Sequence, residues 1–303
     1  MSTRTRVASF AGAAALIFGL AVVTGHLIGP DLQPTASPHG SARTMAMGGG
    51  LPGGLASDQN GYSLTLGSSL LSAGPAVPVS FVIAGNDGQP LRSYDVRHDK
   101  LLHLIVVRRD FSGYQHVHPS LSGGVWSTSL ALTPGTWRLF ADFKPRGHDA
   151  LTLGADVMVP GSFQPTPETI ERRSTVVDGY RVSLGGSLIA GKDSALTLSV
   201  STDGGPVTDL DPYLGSYGHL VALRSGDLAY LHVHPNGEPG DGRTPAGPDV
   251  VFQAEIPTAG TYHLYFDFKH HGVVRTASFV VTLSTGESST HKLGSNHESA
   301  SHH

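Results

Sequence analysis

His103-Leu104-Ile105-Val106-Val107 with Tyr114-Gln115-His116-Val117-His118-Pro119 returns 116 residues later as His219-Leu220-Val221-Ala222-Leu223 with Tyr230-Leu231-His232-Val233-His234-Pro235. Self-similarity at a fixed spacing marks two copies of one structural unit. The match extends outward on both sides. Asn60-Gly61-Tyr62-Ser63-Leu64 answers Asp178-Gly179-Tyr180-Arg181-Val182, and the block from Gly135 to Lys144 answers that from Gly260 to Lys269. The last pair is spaced further apart because the second copy carries an extra Gly/Pro-rich loop around Asn236 to Pro248.

Each copy reads as β structure. Apolar and polar residues alternate over Tyr62 to Leu66, Val77 to Ile83, Val125 to Leu132, Trp137 to Phe143 and Leu196 to Val200, the pattern of strands with one buried face. Turn formers such as Asn86-Asp87-Gly88 and Asp203-Gly204-Gly205 separate the runs. About seven short strands per repeat is the pattern of an Ig-like or cupredoxin-like sandwich. The expected fold is all-β: two tandem β-sandwich domains after an N-terminal hydrophobic helix. Trp137, Tyr262, Phe143 and Phe268 read as core residues.

Within the quoted stretch the sequence folds back on itself. A hairpin turning at Asp110-Phe111 sets His103 beside His118, and one turning at Gly226-Asp227 sets His219 beside His234. Cross-strand partners share a face, as do residues two apart on one strand. His103, His116 and His118 therefore form one candidate set, and His219, His232 and His234 a second. Three imidazoles on one face can hold an ion at about 2 Å and leave a coordination position open. Asp142 and Asp267, on the late strands, are candidate fourth ligands or acceptors for a histidine N–H. The same histidines could instead brace the sandwich through hydrogen bonds.

The chain has 303 residues, no cysteine, 17 histidines and a formal charge of −4. Without cysteine there are no disulfides, thiolate metal sites or lipid-modified cysteine anchor. Imidazole is then the abundant ligand, which suits copper or zinc ions. The mild charge and scattered basic residues give no nucleic-acid footprint. Arg4 and Arg6 precede an apolar run from Val7 to about Leu27, long enough to cross ~30 Å of hydrocarbon. It reads as a membrane anchor, or as a cleaved signal segment, with the remainder outside the cytoplasm. In the anchored case the chain is single-pass in the cell membrane; otherwise it is secreted.

The boundaries follow: 1–28 anchor or signal, 29–57 disordered tether, 58–160 first sandwich, 161–175 linker, 176–284 second sandwich, 285–303 His-containing tail. Tether and tail are Gly/Ser-rich. The tether carries His39, Met45 and Met47, and the tail His291, His297, His302 and His303.

The repeated blocks, from His103 through His118-Pro119 and from Tyr217-Gly218-His219 through His234-Pro235, resemble an uncharacterised family of actinobacterial secreted or membrane-anchored proteins. That resemblance covers about residues 60 to 282 and implies no established activity. A more distant likeness, of fold alone, is to periplasmic copper proteins of the CopC and YtkA-like kinds. It implies copper handling; however, their N-terminal histidine has a counterpart only in His26, after cleavage behind Gly25. Their methionine-rich copper(I) motif is missing apart from Met45 and Met47.

The expected function is an extracytoplasmic metal-binding protein without catalytic activity. The alternatives are a structural or interaction protein with Ig-like domains, and a cupin-like metalloenzyme using His232, His234, Glu238 and His263. The first copy lacks counterparts of Glu238 and His263, and no nucleophile triad, P-loop or dinucleotide fingerprint is present.

Overall fold

The computed structural model describes residues 51–166, 170–186, 188–231 and 233–283. The expected anchor, most of the tether, the tail and His232 lie outside the described residues. No helix among the described residues is long and apolar enough to cross a membrane.

The first repeat begins with β1 (Asp58–Gln59), β2 (Tyr62–Leu66), β3 (Gly74–Ala84) and β4 (Leu102–Arg108). It continues with β5 (Gln115–Val117), β6 (Ser120–Ser122), β7 (Val125–Leu132), β8 (Gly135–Phe143) and β9 (Leu151–Val159). The second opens with β10 (Ser174–Val177), β11 (Tyr180–Gly185), β12 (Asp193–Thr202), β13 (Gly205–Pro206) and β14 (His219–Arg224). Then come β15 (Tyr230–Leu231), β16 (Val233–Pro235), β17 (Asp249–Glu255), β18 (Gly260–His270) and β19 (Val273–Leu283).

Each repeat is an all-β sandwich of two antiparallel sheets. In the first, the sheet β1-β2-β3-β7-β6 packs on the sheet β5-β4-β8-β9. In the second, β10-β11-β12-β17-β16 packs on β15-β14-β18-β19. The four aromatics assigned to the core are buried there.

The two four-stranded sheets are covered on both faces. Along β4, Leu102, Leu104 and Val106 enter the core of the first sandwich. Ile105 and Val107 point the other way and meet Val221 and Leu223 of β14 in a separate core between the repeats. Alternation on β8 and β18 does the same with Phe140 and Tyr265. Tyr114 stacks on Tyr265 at 4.0 Å, and Tyr230 lies against Phe140 at 5.7 Å. These two aromatic pairs occupy equivalent places in the repeats, so the repeats face each other about an approximate twofold. Burying each such aliphatic or aromatic side chain contributes roughly 1.5–3 kcal/mol. The repeats are therefore layers of one body rather than independent beads.

Residues 51–57, expected within the tether, depart from that expectation. The Tyr230 N–H donates to the Gly53 carbonyl at 2.9 Å, the Gly54 N–H donates to Thr152, and Gly154 N–H donates to Ala56. Arg138 lies on the doubly buried β8 and needs acceptors. It finds them in the carbonyls of Gly54 and Leu55, the latter at 2.8 Å. Gly54 sits at φ 73° with its Cα over the Phe140 ring, where an added Cβ would lie 2.3 Å from a ring carbon. Only glycine fits there.

Candidate metal centre between the repeats

The hairpin registers follow the repeat: Ile105 pairs with His116 and Ala222 with Leu231. The turns are longer than two residues. In the first, Phe111 and Gly113 adopt left-handed backbone, and Arg108 N–H donates to the Ser112 carbonyl. His103 alternates with Ile105 and Val107, so its ring faces the second repeat rather than the core of its own sandwich. His219, one pair before Val221 on β14, faces back. The two rings stack at 5.4 Å with an interplanar angle of 11°.

Two hydrogen bonds set the tautomers. His103 Nε2 lies 3.1 Å from the Arg97 carbonyl, an obligate acceptor, so Nε2 carries the proton and Nδ1 a lone pair. His116 Nδ1 lies 2.8 Å from Asp267 Oδ2 in the other repeat. Asp267 also accepts from Thr276 Oγ1 at 2.6 Å and from the Tyr114 hydroxyl at 3.5 Å, as an ionised carboxylate does. His116 therefore donates through Nδ1 and turns Nε2 toward His103. That Nε2 stands 3.0 Å from His103 Nδ1, and His118 Nε2 stands 3.2 Å from the same atom. The lone pair of His103 Nδ1 thus faces two imidazole nitrogens at hydrogen-bond distance, open to an N–H from one of them or to a cation.

A cation can take the place of such a proton, and protonating His103 or His118 is costly. Burial, then the neighbouring His116, pushes His103 down to about 3, and the same two causes with Lys100 push His118 down to about 3. Burial, followed by His116 and His103, also lowers His219. Two nitrogens on one tetrahedral ion with bonds of about 2.0–2.1 Å stand about 3.3 Å apart, close to the His103–His116 and His103–His118 spacings. A ligand nitrogen of His219 falls within 4.8 Å of those of His103 and His116. The buried Nδ1 of His219 has no hydrogen-bond partner. Such an orphaned nitrogen is a cost unless something fills it.

The eight site residues expected from sequence are distributed as follows. His103, His116, His118 and His219 converge. Asp267 orients His116 across the repeat boundary. Asp142 is cross-strand to His103 but contacts Arg97 and Thr152, each at 3.4 Å. Burial pushes its carboxyl up to about 6, against the pull of Arg97. His234 does not share a ladder with His219: β15 ends at Leu231 and the chain crosses to the outer sheet, where His234 is exposed and pairs with Gln253 on β17. His232 lies outside the described residues. One set per repeat is thus replaced by a cluster shared between repeats. The cause is the face on which β4 and β14 present their histidines.

His98 was not expected. It sits at φ 45° in the turn before β4, with its ring 5.8 Å from that of His219 and 6.0 Å from that of His103. His270 ends β18 and is buried against the Tyr180 hydroxyl at 2.8 Å and Asp209 at 3.1 Å. As for the cupin pattern, Glu238 is exposed in the inserted loop, whereas His263 is buried and stacked on Phe111 at 3.7 Å.

The molecule is thus a tandem β-sandwich protein whose repeats enclose a histidine cluster. The domain of unknown function DUF8832 matches it twice, at residues 57–160 and 174–285, and the chain belongs to that family. No curated protein matches its sequence. Solved structures of similar architecture include the Escherichia coli adhesin FdeC (16% identity, 75% of this chain and 65% of that one, TM-score 0.26). Others are InvD of Yersinia pseudotuberculosis (14%, 76% and 59%, TM-score 0.25) and domains 4 and 5 of the S-layer protein SbsC (7%, 73% and 96%, TM-score 0.22). The chain spans less than two thirds of the FdeC and InvD chains.

Proposed function

We propose that this protein is an extracytoplasmic, membrane-tethered binder of one copper(II) or zinc(II) ion, held between its two repeats. His103 Nδ1, His116 Nε2 and a nitrogen of His219 supply the ligands, with His118 Nε2, beside His103, as the candidate fourth. The observation that carries this is the gathering of ligand nitrogens of His103, His116 and His219 within 4.8 Å of one another, with the outer nitrogens of His103 and His116 already engaged as donors. An all-imidazole set suits a borderline divalent ion, and the Irving–Williams order favours copper where it is available. Secretion or anchoring rests on the basic and apolar N-terminus, and kinship with actinobacterial surface proteins on the repeated histidine blocks.

Equilibrium dialysis against Zn(II) and against Cu(II), with metal analysis, tests the proposal. The wild type should retain one equivalent that a His103→Ala/His116→Ala double variant does not. Equal retention by both would remove it. Internal bracing is the second reading: a proton on His116 Nε2 would link Asp267, His116, His103 and the Arg97 carbonyl into one hydrogen-bonded chain. It is favoured by the burial of the His116–Asp267 pair, whose side chains are each 2% exposed. On that reading the double variant loses stability without any metal-dependent difference.

A further inference from the structure

The late strands of the two repeats correspond residue for residue, and one charge pair is kept in only one of them. In the first repeat Arg138 is in register with Asp156 and donates to its carboxylate through Nη1 at 3.1 Å. The same guanidinium takes the carbonyls of Gly54 and Leu55. In the second repeat His263 stands at the place of Arg138 and, by strand register, Val280 at the place of Asp156. Phe140 with Gly154 becomes Tyr265 with Ser278.

A guanidinium returns to this place from the segment that joins the repeats. Arg172 and Val280 exchange backbone hydrogen bonds at 2.8 and 3.1 Å, and Arg172 Nη2 donates to Ser278 Oγ at 2.9 Å. Cross-strand partners share a face, so the Arg172 and Val280 side chains lie together. A Cβ built on Gly154 would meet the Gly54 carbonyl at 2.0 Å, so Ser278 Oγ takes that carbonyl's place. Nothing among the described residues takes the place of the Asp156 carboxylate. Arg172 is half-buried, its Nε is buried without a hydrogen-bond partner, and no carboxylate among the described residues pairs with it. A buried donor without an acceptor is a cost that a ligand can remove.

Arg172, Ser278, Tyr265 and His263 line a cavity of about 200 Å³, with Asp110 and Phe111 of the first repeat on its other wall. Asp110 does not answer the charge. Arg108 grips its carboxylate at 2.9 and 3.1 Å, and the Ser112 hydroxyl and Thr166 N–H donate to it at 2.6 and 2.7 Å. Arg108 and Asp110 cancel, which leaves Arg172 as the unmatched fixed charge. Phe111 holds a left-handed backbone, φ 63°, with its ring stacked on His263. Such strain in a bulky residue gathers at ligand sites.

We infer that this cavity binds a small organic carboxylate, which gives Arg172 the group that Asp156 gives Arg138. A guanidinium edge receives a carboxylate through two parallel N–H···O bonds. Ser278 Oγ accepts from Arg172, so its own hydrogen is available to the ligand. The site draws on both repeats and the segment between them, and shares no lining residue with the histidine cluster.

Isothermal titration of the 303-residue chain with sodium acetate, propionate and benzoate tests it. At least one acid should bind as a single equivalent with a Kd of about 1 mM or tighter, and its neutral amide about tenfold more weakly or worse. Arg172→Gln keeps the backbone bridge to Val280 and should lose about tenfold or more in affinity. Val280→Asp supplies a carboxylate where the first repeat has one, and should abolish binding in a chain that still melts cooperatively. Should that variant fail to fold, Arg172→Gln decides, with its thermal melt as the folding control. Absence of binding by all the acids, equal affinity in wild type and Arg172→Gln, or undiminished binding in folded Val280→Asp overturns the site. Inorganic phosphate bound more tightly than every acid would make the cavity a phosphate site and overturn the carboxylate assignment.

Discussion

Replacing Asp267 with asparagine keeps the side-chain shape and removes the charge that orients His116. The carboxylate is 1% exposed and receives the His116 Nδ1–H at 2.8 Å, the Thr276 hydroxyl at 2.6 Å and the Tyr114 hydroxyl at 3.5 Å. An asparagine amide must place an NH2 group among these donors. If it faces His116, the ring turns to the other tautomer, with its proton on Nε2 and no lone pair toward His103. Loss of an acceptor behind a metal-bound histidine typically lowers affinity about 10- to 100-fold, or roughly 1.4–2.8 kcal/mol. Competition for Zn(II) against a chromophoric chelator measures it. Asp142→Asn is the matched control, because Asp142 is paired with His103 in register yet contacts Arg97 and Thr152 rather than an imidazole. The control should change affinity by less than about threefold. Equal affinities for wild type and Asp267→Asn, or equal losses in both variants, would refute the tautomer reasoning.

Lowering the pH should destabilise the metal-free protein from about 6.5 downward, since the unfolded chain takes up protons that His103 and His118 refuse until about 3. Asp142 works in the opposite direction, because burial lets the folded state protonate it near 6, so one histidine's contribution is offset between about 6 and 4. Urea denaturation across pH 7 to 4 reads the slope, about 1.4 kcal/mol per pH unit for each net proton, and a flat profile counts against the buried cluster. Ile105→Ala, in the core between the repeats, should cost about 2–5 kcal/mol and shift both sandwiches in a single transition. Two separate transitions, one of them unmoved, would show the repeats to be independent. Gly54→Ala should cost about 1–3 kcal/mol by driving a methyl group into the Phe140 ring. A thermal melt unchanged from wild type would mean that residues 51–57 do not hold to the repeats as described.

The repeat, the all-β class and the hairpin registers were legible in the sequence, because strand alternation and a fixed spacing are local signals. The turn lengths were not, yet any even loop preserves the pairing of Ile105 with His116. What escaped was which neighbour each histidine faces. The available sign was the continuous apolar run of Leu102 and Leu104 to Val107, and of Leu139 to Ala141: strands buried on one face alternate, whereas strands buried on both do not. Taken that way, Ile105, Val107 and His103 belong to a second interface, and the partner on it is the other repeat. His234 left the expected set because the chain changes sheets before it: β15 ends at Leu231, and β16, which carries His234, pairs with β17 in the other sheet. His98 left no signal, being a single histidine in a turn. Gly53 and Gly54 read as flexible by composition, although their glycines serve close packing against Phe140 and Tyr230.

The shared centre is tested most directly by counting metal in two variants that change opposite repeats. His116→Ala and His219→Ala, each dialysed against Zn(II) beside the wild type, should lose the same single high-affinity equivalent, and the double variant should lose no more. If each substitution removes its own equivalent, so that the losses add to two, the metals sit in separate repeats and the centre between them does not exist.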